Sequence, residues 1–265
     1  MKFSIVTPSY NQGRYVRDCI TSVQTQAGVE WEHLVQDAGS TDETPAVLKE
    51  FPHLKCFVEP DRGMSDGINK GFGKATGDWL MWLNTDDYLL PGALAKVADF
   101  AARHPKADVI YGDCVFVDGQ KKMIRHKREQ AFDLGMLLFY GCYIPSTSTF
   151  LNRRIIAAGD LVDINYKVCM DFEYYLRLSR RGYRFEYLPE DIACFRWHEV
   201  NTSNVLAKRR HAERVEIQRT HLNETGRGWL GREFLLTTLF RLYQVKRALR
   251  RFANPARGAS PGLKP

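Results

Sequence analysis

The sequence predicts an α/β protein in which a mostly parallel sheet is covered by helices on both faces. Short apolar segments alternate along the chain with segments of helical periodicity, such as the one containing Val16, Ile20 and Val23. Polar turns follow several of the predicted strands. Because ligands bind at the carboxyl ends of the strands in such sheets, these turns predict a binding site along one edge.

The first 107 residues carry the clearest alternation of elements. The predicted strands cover residues 3–7, 32–36, 56–58 and 78–83. The predicted helices cover residues 14–26, a segment opening at Thr44-Pro45, and residues 64–75 and 91–103. Proline suits the first turn of a helix, because its missing N–H would have no partner there.

The pattern changes in the second half of the chain. Residues 109–128 contain Asp118-Gly119, a dipeptide typical of a hairpin turn between two strands. Residues 171–181 predict a helix that ends at Gly182, and residues 183–197 predict one or two strands. This half therefore adds further strands to the sheet, with fewer helices between them.

The composition excludes several classes of protein. The 44% hydrophobic content supports a substantial core, and no uncharged apolar run reaches the roughly 18 residues of a membrane span. The opening residues 1–6 lack the apolar core of a signal peptide, so we expect an intracellular protein. The six cysteines never form C-x-x-C, which favours free thiols over disulfides or a zinc site.

The net charge of +7 is placed unevenly. Residues 207–265 hold 14 Lys or Arg and 4 Glu, whereas the first 206 residues hold 24 basic and 27 acidic residues. Because the positive charge is confined to the end of the chain, we expect no nucleic-acid binding. Residues 254–265 are rich in Pro, Gly and Ala, and we predict that they are disordered.

The basic segment over residues 207–253 predicts a helical extension. Its apolar residues at helical spacing are Leu235, Leu239, Leu242, Val245, Leu249 and Phe252, and Arg247, Arg250 and Arg251 fall on the other side. A basic amphipathic helix can lie on an anionic membrane surface. Two alternatives remain open, namely packing on the domain and contact with a second copy in an oligomer.

Two adjacent carboxylates, Asp86 and Asp87, follow the apolar run at residues 79–83. Neighbouring carboxylates repel each other, and the repulsion is costly close to a desolvated strand end. The pair therefore requires a metal ion, an Arg or Lys side chain, or full exposure to water.

Five motifs in register resemble glycosyltransferase family 2. They are Thr7-Pro8-Ser9-Tyr10-Asn11, Gln36-Asp37-Ala38-Gly39-Ser40-Thr41-Asp42, Glu59-Pro60-Asp61-Arg62-Gly63, Asn69-Lys70-Gly71 and Asn84-Thr85-Asp86-Asp87. The resemblance runs from residue 3 to about residue 203. It implies a GT-A nucleotide-sugar-binding fold over residues 1–206, with a nucleotide-sugar half at 1–107 and an acceptor half at 108–206.

The same resemblance implies an activity. The family's inverting, hexosyltransferase-type enzymes move a sugar from a nucleoside-diphosphate sugar, with UDP as the default, to a hydroxyl of a glycan or lipid-linked acceptor. The expected setting is bacterial surface polysaccharide assembly, either in the cytoplasm or peripherally on the inner face of the cytoplasmic membrane. The expected cofactor is Mn²⁺ or Mg²⁺.

The resemblance assigns nucleotide-binding roles to the first turns. Tyr10 is implied to stack on the nucleobase, and the turn at Thr7 and Pro8 to offer backbone groups to it. Asp37 is implied to read the base by accepting the N3–H of uracil. The family often has a second Asp or Asn at position 38, where this chain has alanine. Thus Asp37 is expected to be the only carboxylate at this position.

Further site residues follow from the later motifs. Arg62 matches a basic residue near the diphosphate, and Asp66 matches a position that contacts sugar or ribose. Asp86, Asp87 and His198 are implied metal ligands, with Asp86 also near the nucleotide. The alternative for Asp86 and Asp87 is an exposed turn before a helix.

Asp171, at the start of a predicted helix, matches the catalytic aspartate of the family. It would be the general base for the attacking hydroxyl. The family usually has an acidic residue just before it, where this chain has Met170. A carboxylate in the first turn of a helix is also a plain capping arrangement, which is the alternative.

Two other functions stay open on the sequence. A sugar-nucleotidyltransferase shares a related fold, but it usually has a Gly-rich basic loop after the first strand, where this chain has Pro8-Ser9-Tyr10-Asn11. A non-catalytic nucleotide-sugar-binding protein would not need both Asp171 and the Asp86-Asp87 pair. The two motifs therefore favour an enzyme.

Overall fold

A computed structural model of the chain describes residues 1–198, 201 and 206–253. Its strands form one mixed sheet. They are β1 (Lys2–Ser9), β2 (Glu30–Asp37), β3 (Lys55–Val58), β4 (Trp79–Trp82), β5 (Tyr88–Leu89), β6 (Val109–Val117), β7 (Met123–Lys127), β8 (Thr149–Asn152) and β9 (Phe185–Arg196). Residues 254–265, which we predicted to be disordered, lie outside the described residues.

The helices lie between these strands and after the last one. They are α1 (Gly13–Gln24), α2 (Thr44–Lys49), α3 (Met64–Lys74), α4 (Ala93–Arg103), α5 (Arg153–Ala157), α6 (Met170–Arg180), α7 (Ala207–Glu224) and α8 (Glu233–Ala253). A π-helix (Met136–Tyr140) and two 3₁₀ helices (Ser146–Ser148 and Gly228–Gly231) complete the described elements. Each helix predicted from the sequence is present, with ends that differ by only a few residues.

The first half forms the predicted parallel sheet. Strand β1 pairs in parallel with β2 and with β4, and β2 pairs in parallel with β3. Consequently the carboxyl ends of all four strands meet at one edge. The predicted first strand ended at residue 7, but β1 continues through Pro8 to Ser9. Pro8 still pairs with Gln36 of β2.

The second half adds antiparallel strands, of which β8 was not indicated by the sequence pattern. Strand β8 lies between β4 and β6 and is antiparallel to both. The predicted hairpin is confirmed, because β6 and β7 flank Asp118 and Gly119. The predicted one or two strands near the end of the domain are one long strand, β9, which pairs in parallel with β6.

Alternation along the central strands supplies a core on each face of the sheet. In β4, Trp79 and Met81 pack into one apolar cluster, whereas Leu80 and Trp82 pack into the other. Both faces of the sheet are therefore covered, as the sequence predicts, and burial of such large side chains stabilises the fold. The close approach of α3 to β1 requires Gly71, since a Cβ there would lie 2.3 Å from the Val6 side chain.

The C-terminal helix α8 packs on the domain through one side. Leu236 is buried, Tyr243 is half-buried against the π-helix, and Arg247 is buried against Glu129. Arg247 faces the domain and pairs with a buried carboxylate, whereas Leu242, Val245 and Leu249 are exposed. None of the helices in the described part of the chain combines the length and apolar composition that a membrane span requires.

Candidate active site

A cleft of about 460 Å³ opens at the carboxyl ends of the parallel strands. Its walls come from the turns after β1 and β4, the loop before α3, the start of α6, and the segment after β9. The lining residues are Pro8, Ser9, Tyr10, Gln12, Asp61, Gly63, Met64, Trp82, Asn84, Thr85, Asp86, Ser146, Lys167, Val168, Met170, Asp171, Phe195 and Asn201. Of the predicted site residues, Pro8, Tyr10, Asp86 and Asp171 thus share one cavity.

Tyr10 presents an aromatic ring at one end of this cleft. The chain leaves β1 after Ser9 and turns sharply at Asn11, whose φ is 52°. The Asn11 side chain fixes the turn, because its Oδ1 accepts from the Thr41 N–H at 2.8 Å. The ring of Tyr10 is 60% exposed, and this leaves its face open to a flat ligand.

Asp37 and Thr7 have structural contacts that the sequence-based roles did not anticipate. The Asp37 carboxylate accepts hydrogen bonds from Ser9 Oγ, Gly39 N, Ser40 N and Ser40 Oγ at 2.7–2.9 Å. A carboxylate has about four acceptor positions, so its own turn already occupies them. Thr7 is buried, and its hydroxyl lies 2.8 Å from His33 Nε2. Neither residue lines the cleft.

Arg62 and Asp66 form an ion pair at the rim. Asp66 accepts from the Arg62 N–H at 3.0 Å and from its guanidinium at 3.2 Å. Burial would raise the pKa of Asp66, but the hydrogen bonds from Arg62 lower it on balance. The guanidinium is otherwise exposed beside the cleft. Arg62 is therefore an exposed cation next to the cleft, and Asp66 is its partner.

The two adjacent carboxylates differ in orientation. Asp87 is buried, and it accepts from the Arg196 backbone N–H at 2.9 Å and from Asn84 Nδ2 at 3.4 Å. Burial raises the pKa of Asp87 well above its usual range, and the neighbouring charge of Asp86 raises it further. Asp86 instead lines the cleft. The predicted role of Asp87 as a direct metal ligand is therefore not supported by its orientation.

Asp86 is the centre of a small polar cluster. Its Oδ2 lies 3.0 Å from His198 Nε2 and 3.4 Å from Asn201 Nδ2. Arg196 donates from Nε to the Asp86 backbone oxygen at 2.9 Å, and its guanidinium contacts Asp18 at 2.8 Å. The Arg196 side chain therefore lies behind the acidic pair. An Arg or Lys side chain was one of the three ways, with a metal ion and exposure to water, in which the repulsion between the two carboxylates could be offset.

The side chains around Asp86 offer ligands for a divalent ion. Among the described residues, no three His, Cys, Asp or Glu side chains form a preassembled metal site. However, Asn84 lines the cleft beside Asp86, and its buried Oδ1 has no hydrogen-bond partner in the described part of the chain. The carboxylate of Asp86 and the amide oxygen of Asn84 suit Mn²⁺ or Mg²⁺, whose remaining ligands would come from water and substrate phosphates, and the His198 imidazole would be the softer ligand of the set.

Asp171 lines the same cleft from the first turn of α6. Its Oδ1 accepts from the Phe172 N–H at 2.8 Å, and the Cys142 thiol lies 3.6 Å from its Oδ2. Burial raises the pKa of Asp171 above its ordinary value, although these hydrogen bonds oppose the rise. A raised pKa is what a general base needs in order to accept a proton near neutral pH.

Other residues of the cleft were missed by the sequence analysis. Lys167 brings a cation to the wall, where its Nζ donates to the Arg62 carbonyl at 2.6 Å. Trp82 forms part of the floor, and Ser146 joins from the segment that follows the π-helix. A single lysine in a loop belongs to no recognisable sequence pattern, so its place in the cleft could not be predicted. The structure shows it because the Lys167 loop packs against the loop between β3 and α3.

The fold resembles that of solved transferases of the GT-A type. The UDP complex of S. aureus TarS residues 1–349 superposes with a TM-score of 0.62 at 19% identity, covering 84% of this chain and 71% of TarS. The mannosyltransferase PcManGT from Pyrobaculum calidifontis, in complex with GDP-Man and Mn²⁺, gives 0.62 at 16% identity, covering 98% and 76%. These likenesses confirm the predicted fold class, including its helical C-terminal part.

Sequence comparison identifies the family. The profile described as Glycosyl transferase family 2 matches residues 4–164. A "PGL/p-HBAD biosynthesis glycosyltransferase" of Mycobacterium bovis is 31% identical over 181 residues, which is 66% of this chain and 68% of the relative. A "Putative teichuronic acid biosynthesis glycosyltransferase TuaG" of Bacillus subtilis is 25% identical over 232 residues, covering 82% and 89%. The chain belongs to glycosyltransferase family 2 and is a glycosyltransferase.

Proposed function

We propose that the protein transfers a sugar from a nucleoside-diphosphate sugar to a hydroxyl group by a single displacement with inversion. The observation that carries this proposal is that Asp86, on the turn after β4, and Asp171, at the start of α6, line one cleft. One carboxylate would lie beside the leaving diphosphate and the other beside the attacking hydroxyl. A single displacement requires these two groups on opposite sides of the sugar.

The nucleotide would occupy the end of the cleft that is formed by the turn after β1. The open ring of Tyr10 supports base stacking, and Pro8 lies next to it. The diphosphate would then approach the start of α3, where Gly63 and Lys167 line the wall. Backbone N–H groups at a helix start and a lysine ammonium both favour an anion. Arg62 at the rim adds a second cation.

Asp86, Asn84 and His198 are the residues that we propose for a divalent ion. A bound Mn²⁺ or Mg²⁺ would neutralise charge on the departing nucleoside diphosphate. Arg196 holds the backbone of this corner through its bond to the Asp86 carbonyl oxygen. Asp87 keeps the turn in place through the Arg196 N–H, so we assign it a positioning role. PcManGT, which has the same fold, was solved with Mn²⁺.

Asp171 is the proposed general base. It lies in the cleft, has a raised pKa, and is held by the Phe172 N–H on one oxygen. Among the described residues, the donor to its other oxygen is a weak thiol at 3.6 Å, so this oxygen can accept the proton of an acceptor hydroxyl.

We place the reaction in the assembly of bacterial surface glycans. The support comes from two relatives, which are named for PGL/p-HBAD biosynthesis and teichuronic acid biosynthesis. UDP-sugar is the proposed donor, because TarS was solved with both UDP and UDP-GlcNAc. The acceptor would be a glycan or a lipid-linked glycan.

A nucleotide-binding experiment tests the donor site. We expect UDP and UDP-sugars to raise the melting temperature more than GDP does, with a larger rise when Mn²⁺ is present. Tyr10→Ala should weaken UDP binding about tenfold or more, since stacking of a base on an aromatic ring is worth about 1–3 kcal/mol. Tyr10→Phe is the matched control and should bind like wild type. Titration calorimetry measures both variants.

The same material separates the competing functions. A wild-type dissociation constant for Tyr10→Ala would contradict the assignment of the base-binding wall. Release of pyrophosphate in place of a free nucleoside diphosphate would indicate a sugar-nucleotidyltransferase. Tight donor binding with no turnover across glycan and lipid-linked acceptors would favour a non-catalytic binding protein.

We also propose that α8 docks the enzyme on an anionic lipid surface at the inner face of the cytoplasmic membrane. While one side of α8 packs on the domain, the other exposes Phe234 (78%), Leu242 (59%), Val245 (58%) and Leu249 (63%). The side chains of residues 250–252 lie outside the described residues, so Phe252, Arg250 and Arg251 remain predictions. The net positive charge of the segment complements an anionic surface.

Vesicle flotation tests the docking helix. Wild-type protein should float with phosphatidylglycerol vesicles, weakly with phosphatidylcholine vesicles, and less as salt rises. The double variant Leu242→Ser/Leu249→Ser should bind about tenfold or more weakly, because each exposed leucine that enters the lipid contributes about 1.5–3 kcal/mol. Thr238→Ser, on the same side of α8, is the control. Equal flotation of wild type and the double variant would contradict lipid docking. So would a wild-type protein that binds no vesicles but forms a dimer which the double substitution dissociates.

A further inference from the structure

A cluster of buried charges lies next to the cleft and has no role in the chemistry described above. Glu129 has a fully buried side chain, which accepts from Lys127 Nζ at 2.9 Å and from the Arg247 guanidinium at 3.0 Å. Lys127 extends from the end of β7, and Arg247 comes from α8. Buried charges are costly unless they are paired, yet here two cations share one carboxylate. The cluster therefore carries a net positive charge inside the protein.

Lys127 connects this cluster to the proposed base. Its Nζ donates to the Tyr143 carbonyl oxygen at 2.6 Å. The preceding residue, Cys142, has its thiol 3.6 Å from Asp171 Oδ2. The lysine thus anchors the short segment whose side chain contacts the carboxylate. Tyr143 is itself buried, so the segment has little room to move.

Several elements contribute titratable groups around Asp171. They are Lys127 at the end of β7, Cys142 after the π-helix, Cys169 before α6, and Tyr175 on α6. Burial raises the pKa of Asp171, whereas the Phe172 N–H, the Cys142 thiol and the charge of Lys127 lower it. Burial would lower the pKa of Lys127, but the adjacent Glu129 carboxylate raises it on balance and keeps the ammonium charged. Within this group Lys127 supplies the full positive charge.

We propose that Lys127 is a positioning residue for the transfer reaction: through its bond to the Tyr143 carbonyl oxygen it holds the Cys142 thiol against Asp171. The inference rests on the proposed function, in which Asp171 accepts the proton. The proposal also gives α8 a function besides lipid docking. Arg247 from that helix shares the Glu129 carboxylate with Lys127, so α8 helps to hold Lys127 in place. The C-terminal helix is then joined to the acceptor side of the site through buried charges.

The pH dependence of kcat tests this role. The acid limb of the profile reports protonation of the base in the enzyme–substrate complex. Removing the positive charge in Lys127→Met should raise the pKa of Asp171, so the acid limb should move to higher pH by about one unit. Lys127→Arg keeps the charge and should retain the wild-type limb. Loss of fold alone would lower kcat at every pH without moving the limb.

The outcomes distinguish this inference from the proposed function. An acid limb of Lys127→Met that coincides with wild type, or an equal shift in Lys127→Arg, overturns the role of Lys127. Should Lys127→Met not fold, Glu129→Gln replaces it, and its acid limb should move to lower pH because a negative charge is removed. No movement in that variant also overturns the proposal. Transfer that survives in Asp171→Asn would instead refute the base assignment itself.

Discussion

Replacing Asp171 with asparagine is expected to lower the rate of sugar transfer by about 10²- to 10⁴-fold, the range for a general base. The amide has almost the same shape as the carboxylate, and its oxygen can still accept from the Phe172 N–H. It cannot take a proton from the acceptor hydroxyl. The dissociation constant for the donor should stay close to wild type, because the proposed nucleotide contacts are the turn after β1 and the start of α3, and Asp171 is in neither.

The measurement is release of nucleoside diphosphate under single-turnover conditions, together with calorimetric binding of the donor. Glu173→Gln is the matched control. Glu173 lies on the same helix but pairs with Arg177 at 2.7 Å and does not line the cleft. It should keep nearly full activity. If Asp171→Asn and Glu173→Gln transfer sugar equally fast, Asp171 is only a helix-capping residue.

Much of the fold follows from local patterns. The helical periodicity around Val16, Ile20 and Val23 predicts α1, and all three side chains are buried in the structure. The pairing of β8 could not be predicted in this way. Its partners in β4 are about 70 positions away, as in the pair Leu80 and Leu151, and a four-residue strand has no periodicity to reveal it.

The candidate site was predictable to the extent that its residues lie at strand ends. The strand-end pattern indicated the turn after β1 and Asp86, whereas the roles of Tyr10 and Asp171 came from the resemblance to the family. The state of Asp37 was not predictable, because its four donors depend on how the turn folds back toward Ser9. The side of α8 that meets the domain was not predictable for a related reason: the helix has apolar residues on two sides, and the sequence does not show that the side with Arg247 is the buried one.

The second large effect is expected at the acidic pair after β4. Substitution of Asp86 should reduce sugar transfer and metal binding, whereas substitution of Asp87 should reduce stability. Asp86→Asn removes the carboxylate that lines the cleft beside Asn84, and we expect transfer to fall by about 10²-fold or more. It should also abolish the extra thermal stabilisation that Mn²⁺ gives in the presence of UDP. That readout reports metal binding without requiring turnover. The imidazole of His198 alone is a weak site for a hard ion.

Asp87→Asn is the matched comparison. Because Asp87 is buried, replacing it should destabilise the turn that contains it. The oxygen of the new amide can still accept from the Arg196 N–H. Its NH₂ group, however, would face Asn84 Nδ2. Two donors facing each other in a buried position cost about 1–3 kcal/mol. We therefore expect a lower melting temperature with the Mn²⁺-dependent stabilisation retained. Should Asp87→Asn lose that stabilisation while Asp86→Asn keeps it, the ligand roles of the two carboxylates are reversed, and the metal lies behind the turn and outside the cleft.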